Sequence, residues 1–265
     1  MKKYAAIIKT SWLRQFAYRT DILGYRLANL FDILFQMAIW YAVFQTSSVV
    51  NGYTFPEMMT YVIIGWLFSF LTANFGLETV VNRDIRDGTL NNFLTKPISY
   101  LKYMVVLSIG RASLALFSGV VVQAALIISF HGFISAPPSL AKILLIILIV
   151  FIGYFIRLFL SILIGLLSFW VTENAGLNSF FNVLIRFLSG GYAPLSILPT
   201  AFYQLSLAFP FAYIIFFPAQ LYLDKATTAQ GIRGLAIELA WLAALYILIK
   251  ITWKRGLRNY EGTGA

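Results

Sequence analysis

The chain has no cysteine, so it can hold neither a disulfide framework nor a thiolate metal site. It has one histidine, His131, in an expected outer loop, and no catalytic triad or metal centre can be built around it. No Gly-x4-Gly-Lys-Ser/Thr loop occurs, which excludes nucleotide hydrolysis by this chain alone. Charge is scarce as well: 11% of the 265 residues are charged, where a soluble domain carries roughly 25%. Ten acidic residues face twenty basic ones, leaving +10. That excess does not call for nucleic acid, because membrane proteins collect basic residues on the cytoplasmic side and at anionic lipid. Lys9 interrupts the apolar stretch after Lys2 and Lys3, and no small-x-small site follows, so no signal peptide is expected.

What is present is apolar. Hydrophobic residues make up 60% of the chain, and the mean hydropathy is +0.81. Leu, Ile, Val and Phe come in blocks, not in alternation, which argues against an outer-membrane barrel. The expected class is an all-α polytopic membrane protein, folded as a single transmembrane domain over 1–265. Crossing a bilayer takes about 20 apolar residues. Six spans are predicted, at about 22–45, 58–80, 104–130, 142–171, 175–192 and 233–253.

Basic residues orient these spans. With both termini inside, fourteen of the twenty fall on one side, from Lys2, Lys3 and Lys9 to Lys254, Arg255 and Arg258. Lys142, Lys225 and Arg233 fall on the other, while Arg111, Arg157 and Arg186 lie within spans. This bias predicts cytoplasmic termini. Residues 1–20 are too polar to span. Tyr4, Ile8, Trp12 and Phe16 recur every fourth residue, with Lys3, Lys9 and Arg14 off that stripe. The pattern predicts a helix on the inner leaflet, or else one packed on the protein itself.

Residues 192–224 are apolar but broken by Pro194, Pro199, Pro210 and Pro218. The pieces between prolines are too short to cross. They predict a re-entrant region that enters from and returns to the outer face. A single kinked span is the alternative, and it would put Lys250, Lys254, Arg255 and Arg258 outside.

Charges within spans are functional candidates. Asp32 is the one good acid for a proton-coupled carrier; the plainer reading is a structural pair with Arg157 or Arg186. Asn29, Asp32 and Gln36 share one helical face of the first span, and Asn178, Asn182 and Arg186 share one of the fifth. Such stripes should meet protein or water, either along a path or contact between subunits or inside the bundle. Ser161 and Gly165 read as helix packing.

One dense polar segment remains, "NRDIRDGTLNNFLTKPIS" at 82–99. Arg83, Asp84, Arg86 and Asp87 supply charge of both signs; Ile85, Leu90, Phe93 and Leu94 supply apolar anchors. Asp87-Gly88 permits a turn, and Lys96-Pro97 stops the helix. Residues 82–97 form a short cytoplasmic helix suited to docking on another protein, or else a solvated loop. The segment resembles the coupling helix of bacterial ABC transporter permeases of the type-2 exporter family, in Asp84, Gly88-Thr89-Leu90, Phe93-Leu94 and Pro97. Asp84 stands where Glu is commoner there, and Asn91 where Glu often follows the Leu. The order of elements and the ending "WKRGLRNYEGTGA" are also similar to that family.

The resemblance implies a permease of an ATP-driven exporter in the bacterial cytoplasmic (inner) membrane, paired with a second permease, identical or related. Two separate ATPase subunits would hold the ATP and magnesium, so no cofactor is expected in this chain. It further implies that Asp84, Arg86, Asp87, Gly88, Thr89, Leu90 and Phe93 couple to the ATPase. The competing functions are a proton-coupled carrier using Asp32, and a lipid-modifying membrane enzyme, for which no nucleophile–base set exists. An aromatic content of 17% suits membrane-interface belts and flat apolar ligands alike, so the substrate stays open.

Overall fold

The computed structural model describes residues 2–17, 19–171 and 175–260. Residues 261–265 of the family-like ending and the side chain of Phe16 lie outside the described residues. Apart from a tiny hairpin, β1 (Val49–Val50) with β2 (Tyr53–Thr54), the described chain is α-helical. Four helices are long and apolar enough to cross a membrane. They are α2 (Arg19–Phe44), α6 (Tyr100–Ser129), α7 (Leu140–Leu166) and α11 (Thr228–Gly256). Against the six full spans predicted, α3 (Phe55–Leu71) and α8 (Ala175–Leu188) are apolar but shorter.

Local chemistry sets these boundaries. At the start of α3, Pro56 occupies the first turn, and Thr54 N–H donates to Glu57 Oε2 at 2.8 Å. The predicted span 58–80 stops at Leu71. Phe75 and Gly76 follow with φ of 48° and 71°, a left-handed pair that no helix continues through. The chain then restarts as α4 (Leu77–Arg86), so the polar segment begins at 77, not 82. The fifth helix ends at Leu188, short of 192, because Gly190 takes φ 79° and Gly191 N–H closes on the Arg186 carbonyl at 2.9 Å. Thr227 and Gln230 cap α11 reciprocally, at 3.2 and 2.8 Å.

The bundle has two ends. At the hairpin end, Glu57 pairs with Lys225 and Lys142 pairs with Asp224. Tyr53 lies 3.0 Å from Ser196 and accepts from Gln220 at 2.6 Å. At the terminal end, Tyr100 stacks on Trp253 at 5.2 Å, and Phe169 meets Trp253 edge-on. Leu77, Val81, Ile85 and Leu90 of the polar segment pack into this end with Met104, Leu158 and Ile249. The first helix, α1 (Lys2–Ala17), lies along α6: Trp12 Nε1 donates to Ser113 at 3.0 Å. A Cβ on Gly110 would sit 3.2 Å from Ser11 Cβ, so the glycine admits this approach. The apolar stripe predicted for the membrane surface thus faces α6 at least through Trp12.

The proline-rich region breaks into a tight turn at 195–197, α9 (Thr200–Ala208), a second tight turn at 210–213 and α10 (Phe216–Tyr222). Ser196 and Gln220 both meet Tyr53 at the hairpin end. Between them the chain descends until Ala208 accepts from Trp241 Nε1 at 3.0 Å. Trp241 lies thirteen residues into α11, about 20 Å down. The segment therefore leaves and regains the same end.

Candidate functional site

The stripe on α2 and the foot of α8 meet. Asp32 forms an ion pair with Arg186, one of the two partners foreseen for it. In the amide orientation that satisfies both of its ends, Gln36 accepts from Arg186 at 2.8 Å and donates to the Gly191 carbonyl at 3.3 Å. Arg186 also lies 4.5 Å over the Tyr192 ring. These groups border a cleft of about 140 Å³ that continues along α2 past Asn29 to Arg26. Its apolar wall is Trp66, Phe70 and Phe75, and Gln123 of α6 closes the far side.

Asn178 and Asn182 share the Arg186 face of α8, yet they turn elsewhere. Asn182 accepts from Arg157 at 2.8 Å and donates to Glu78 Oε1 at 3.0 Å. Asn178 is buried beside them, and Glu78 and Asn182 line a second, wider cavity with Arg83, Arg86 and Asp87. The two stripes therefore do not form one surface. Arg186 belongs to the cleft, while Asn178 and Asn182 belong to an inner network that reaches the polar segment.

That segment is held as a clipped turn. Gly88 has φ 70°, and Leu90 N–H donates back to the Asp84 carbonyl at 2.8 Å. Thr89 and Tyr100 each donate to the Asp84 carboxylate at 3.0 Å. Burial pushes the Asp84 carboxyl above its ordinary range, partly offset by those two hydrogen bonds. Leu90 is wholly buried, and Phe93, in the short helix α5 (Asn91–Leu94), lies 4.6 Å from the Tyr103 ring. Arg86, Asp87 and Thr89 are exposed, and Gly88 is half-buried between them. Of the seven coupling candidates, Asp84, Leu90 and Phe93 thus anchor the turn to the bundle, and the others crown it.

Two acids escaped the sequence analysis. Glu78 fell inside a predicted span; its place at the first turn of a new helix, after Phe75-Gly76, was the missed signal. Glu238 is fully buried in α11, and neither carboxylate oxygen has a hydrogen-bond partner among the described residues.

Helices with long exposed apolar faces, polar groups gathered in clefts between them, and a broken segment that returns to its own end define a multi-pass helical membrane protein. The model of the family described as ABC-2 family transporter protein matches residues 30–264, and the chain belongs to that family. Its members are membrane transport components, not enzymes in themselves. No curated protein sequence matches the chain.

Proposed function

We propose that the chain is the permease subunit of an ATP-binding cassette exporter, working with a second permease and separate ATPase subunits that bind ATP and magnesium. The observation that carries this reading is the clipped turn. Its polar crown, Arg86, Asp87 and Thr89, stands on anchors driven into α6, α7 and α11. A push on the crown is therefore delivered to the helices, not absorbed by a loop. Both termini and this turn would face the cytoplasm of a bacterium, where the basic residues belong. The region 192–224 would be re-entrant from the outer face, and α1 would rest at the inner leaflet as well as on α6. The α2 stripe, with Arg186, would line the translocation path at the permease–permease seam. The carrier reading of Asp32 is weaker, since Arg186 already engages its carboxylate.

The test is assembly. Asp87→Lys combined with Arg86→Glu is expected to abolish co-purification of the partner ATPase while membrane insertion and thermal stability hold. Undiminished assembly in that double variant overturns the coupling role.

A further inference from the structure

An acid interrupts a stripe of α11 that is otherwise small or apolar. Gly231, Gly234, Glu238, Leu242, Leu245 and Ile249 recur every three or four residues and share one face. The glycines of that stripe admit close neighbours: a Cβ on Gly231 would come 2.3 Å from Leu145 of α7, and one on Gly234 would come 2.4 Å from the Phe217 ring of α10. The next place on the stripe enters the same packed seam, and there the chain carries a carboxyl where packing alone calls for a leucine. Glu238 is 0% exposed, and neither of its oxygens has a hydrogen-bond partner among the described residues. Counted from the start of α11 at Thr228, it lies about 15 Å down the helix, halfway through a hydrocarbon core of about 30 Å.

The walls of this site are neutral. A Cβ on Gly153 of α7 would lie 3.7 Å from Glu238 Oε1 and 3.7 Å from Ile214 Cα, so the carboxyl, α7 and the backbone just past the 210–213 turn meet at that glycine. Thr72 brings its methyl within 3.8 Å of the same point, while its hydroxyl donates to the Phe68 carbonyl at 2.8 Å. The titratable groups of the surrounding elements are engaged elsewhere. Tyr213 on the turn donates to the Leu207 carbonyl at 2.9 Å, Arg157 of α7 donates to Asn182, and Tyr154 of α7 meets Ser108 at 2.7 Å. Tyr203 of α9 packs edge-on against Phe216, and Tyr222 of α10 turns toward the Ser135 carbonyl. Arg233 on α11 itself is exposed and sits about 140° around the helix from Glu238. An ionised carboxylate in such a place forfeits its hydration and finds neither cation nor donor in return, whereas the neutral acid gives up far less.

We propose that Glu238 is a proton-binding site covered by the 210–213 turn: it carries a proton while the backbone at Ile214 lies on α7, and gives it up when that segment lifts and water enters. In that step the carboxyl O–H bond breaks, its electron pair stays on Glu238, and the proton passes to water. Each lift of the segment releases one proton and each closure takes one up, which ties the movement to the acidity of the phase the segment opens to. The inference uses the membrane setting of α11 and goes beyond the permease reading, since it involves neither the ATPase nor any exported compound.

Infrared difference spectroscopy reads the site in the purified full chain, in detergent at neutral pH, with no ATPase or nucleotide present. The spectrum of the unmodified protein minus that of Glu238→Gln is expected to show one C=O band of a protonated carboxyl, which shifts in D2O. Subtracting Glu238→Leu should show the same band, which guards against a perturbed Gln variant. Carboxylate stretches in place of that band overturn the proposal. Replacing choline by sodium should leave the band unchanged; its loss in sodium gives the site to a metal cation and overturns the proposal as well. The cover is tested with Gly153→Cys and Ile214→Cys, which lie close enough to join and are the sole cysteines. By suppressing local opening, the disulfide is expected to slow the D2O shift about tenfold, and reduction should restore it. Each rate is read against the Glu238→Gln counterpart of the same protein. Failure of the pair to oxidise, or equal rates in the locked and reduced protein, shows that the turn is not the cover and overturns the proposal. Because no readout uses the ATPase, failure of the coupling reading leaves this result untouched, and the converse holds.

Discussion

Asp32 of α2 and Arg186 of α8 form an ion pair although 154 residues separate them, and each side chain keeps about a third of its surface exposed. The pair fixes the first long helix to the fifth apolar helix beside a cleft that neither would line alone. Partial exposure moderates its strength, so it acts as a registration device more than a source of stability.

Breaking the pair from one side should therefore leave an uncompensated charge and loosen the α2–α8 contact. Arg186→Gln and Asp32→Asn are each expected to lower stability by about 1–2 kcal/mol, between the exposed and buried limits. The charge swap Asp32→Arg with Arg186→Asp should recover part of the loss. Thermal unfolding in detergent measures both, and a swap no better than the worse single change argues against direct pairing.

The Asp84 clip should respond to pH with a definite sign. Its carboxyl is raised above the ordinary range by burial, so the folded turn holds the proton to higher pH than the unfolded chain does. The associated stability is complete below the unfolded value, about pH 4, and is lost as pH rises through the folded value. Amide exchange at residues 84–90 should accelerate as pH rises from about 4 toward neutrality, beyond the intrinsic pH effect on exchange. Asp84→Asn should flatten that profile. An unchanged profile in the variant assigns the effect to another group.

Helix α4 docks on α7 through Gly165. A Cβ at that position would lie 2.5 Å from Val81 Cβ and 2.9 Å from the Glu78 carbonyl oxygen, and the latter cannot rotate away. Gly165→Ala is expected to destabilise by about 1–3 kcal/mol through this overpacking. At Gly176, where nothing lies within 4 Å, the same change should be neutral or mildly stabilising. Comparable losses at the two sites would mean that the α4–α7 approach is looser than described.

Glu238 presents the opposite case. With both oxygens buried and unpartnered among the described residues, its carboxyl contributes a desolvation penalty and no hydrogen bond to them. Glu238→Leu is expected to be neutral or to raise the unfolding temperature by a few degrees, a gain of about 1 kcal/mol. If export by the reconstituted transporter falls while stability rises, Glu238 serves the working cycle and not the fold.

Much was legible in the sequence because bilayer solvation acts on composition. Runs of Leu, Ile and Phe located the helices, the prolines between 194 and 218 broke the region before α11, and Asp87-Gly88 set the turn at 88. Asp32 was correctly expected to pair with a basic residue in another helix. The helical periodicity that put Asn178, Asn182 and Arg186 on one face was right as geometry but silent about neighbours. A face 100° wide can meet two different helices, and here Arg186 meets α2 while Asn182 meets Arg157 of α7 and Glu78 of α4. The break at Phe75-Gly76 was hidden because hydropathy does not register a left-handed backbone pair. Sequence by itself determined that the chain must be helical, apolar outside and polar at one segment between spans, since those properties follow from local composition and spacing. Only the tertiary structure decided that Asp84 turns inward to Tyr100, that α1 lies against α6, and that Arg26 and Gln123 border the same cleft. Each of these is a choice of partner among residues far apart in the chain, and it is settled by which faces can approach closely enough to bury their polar groups together.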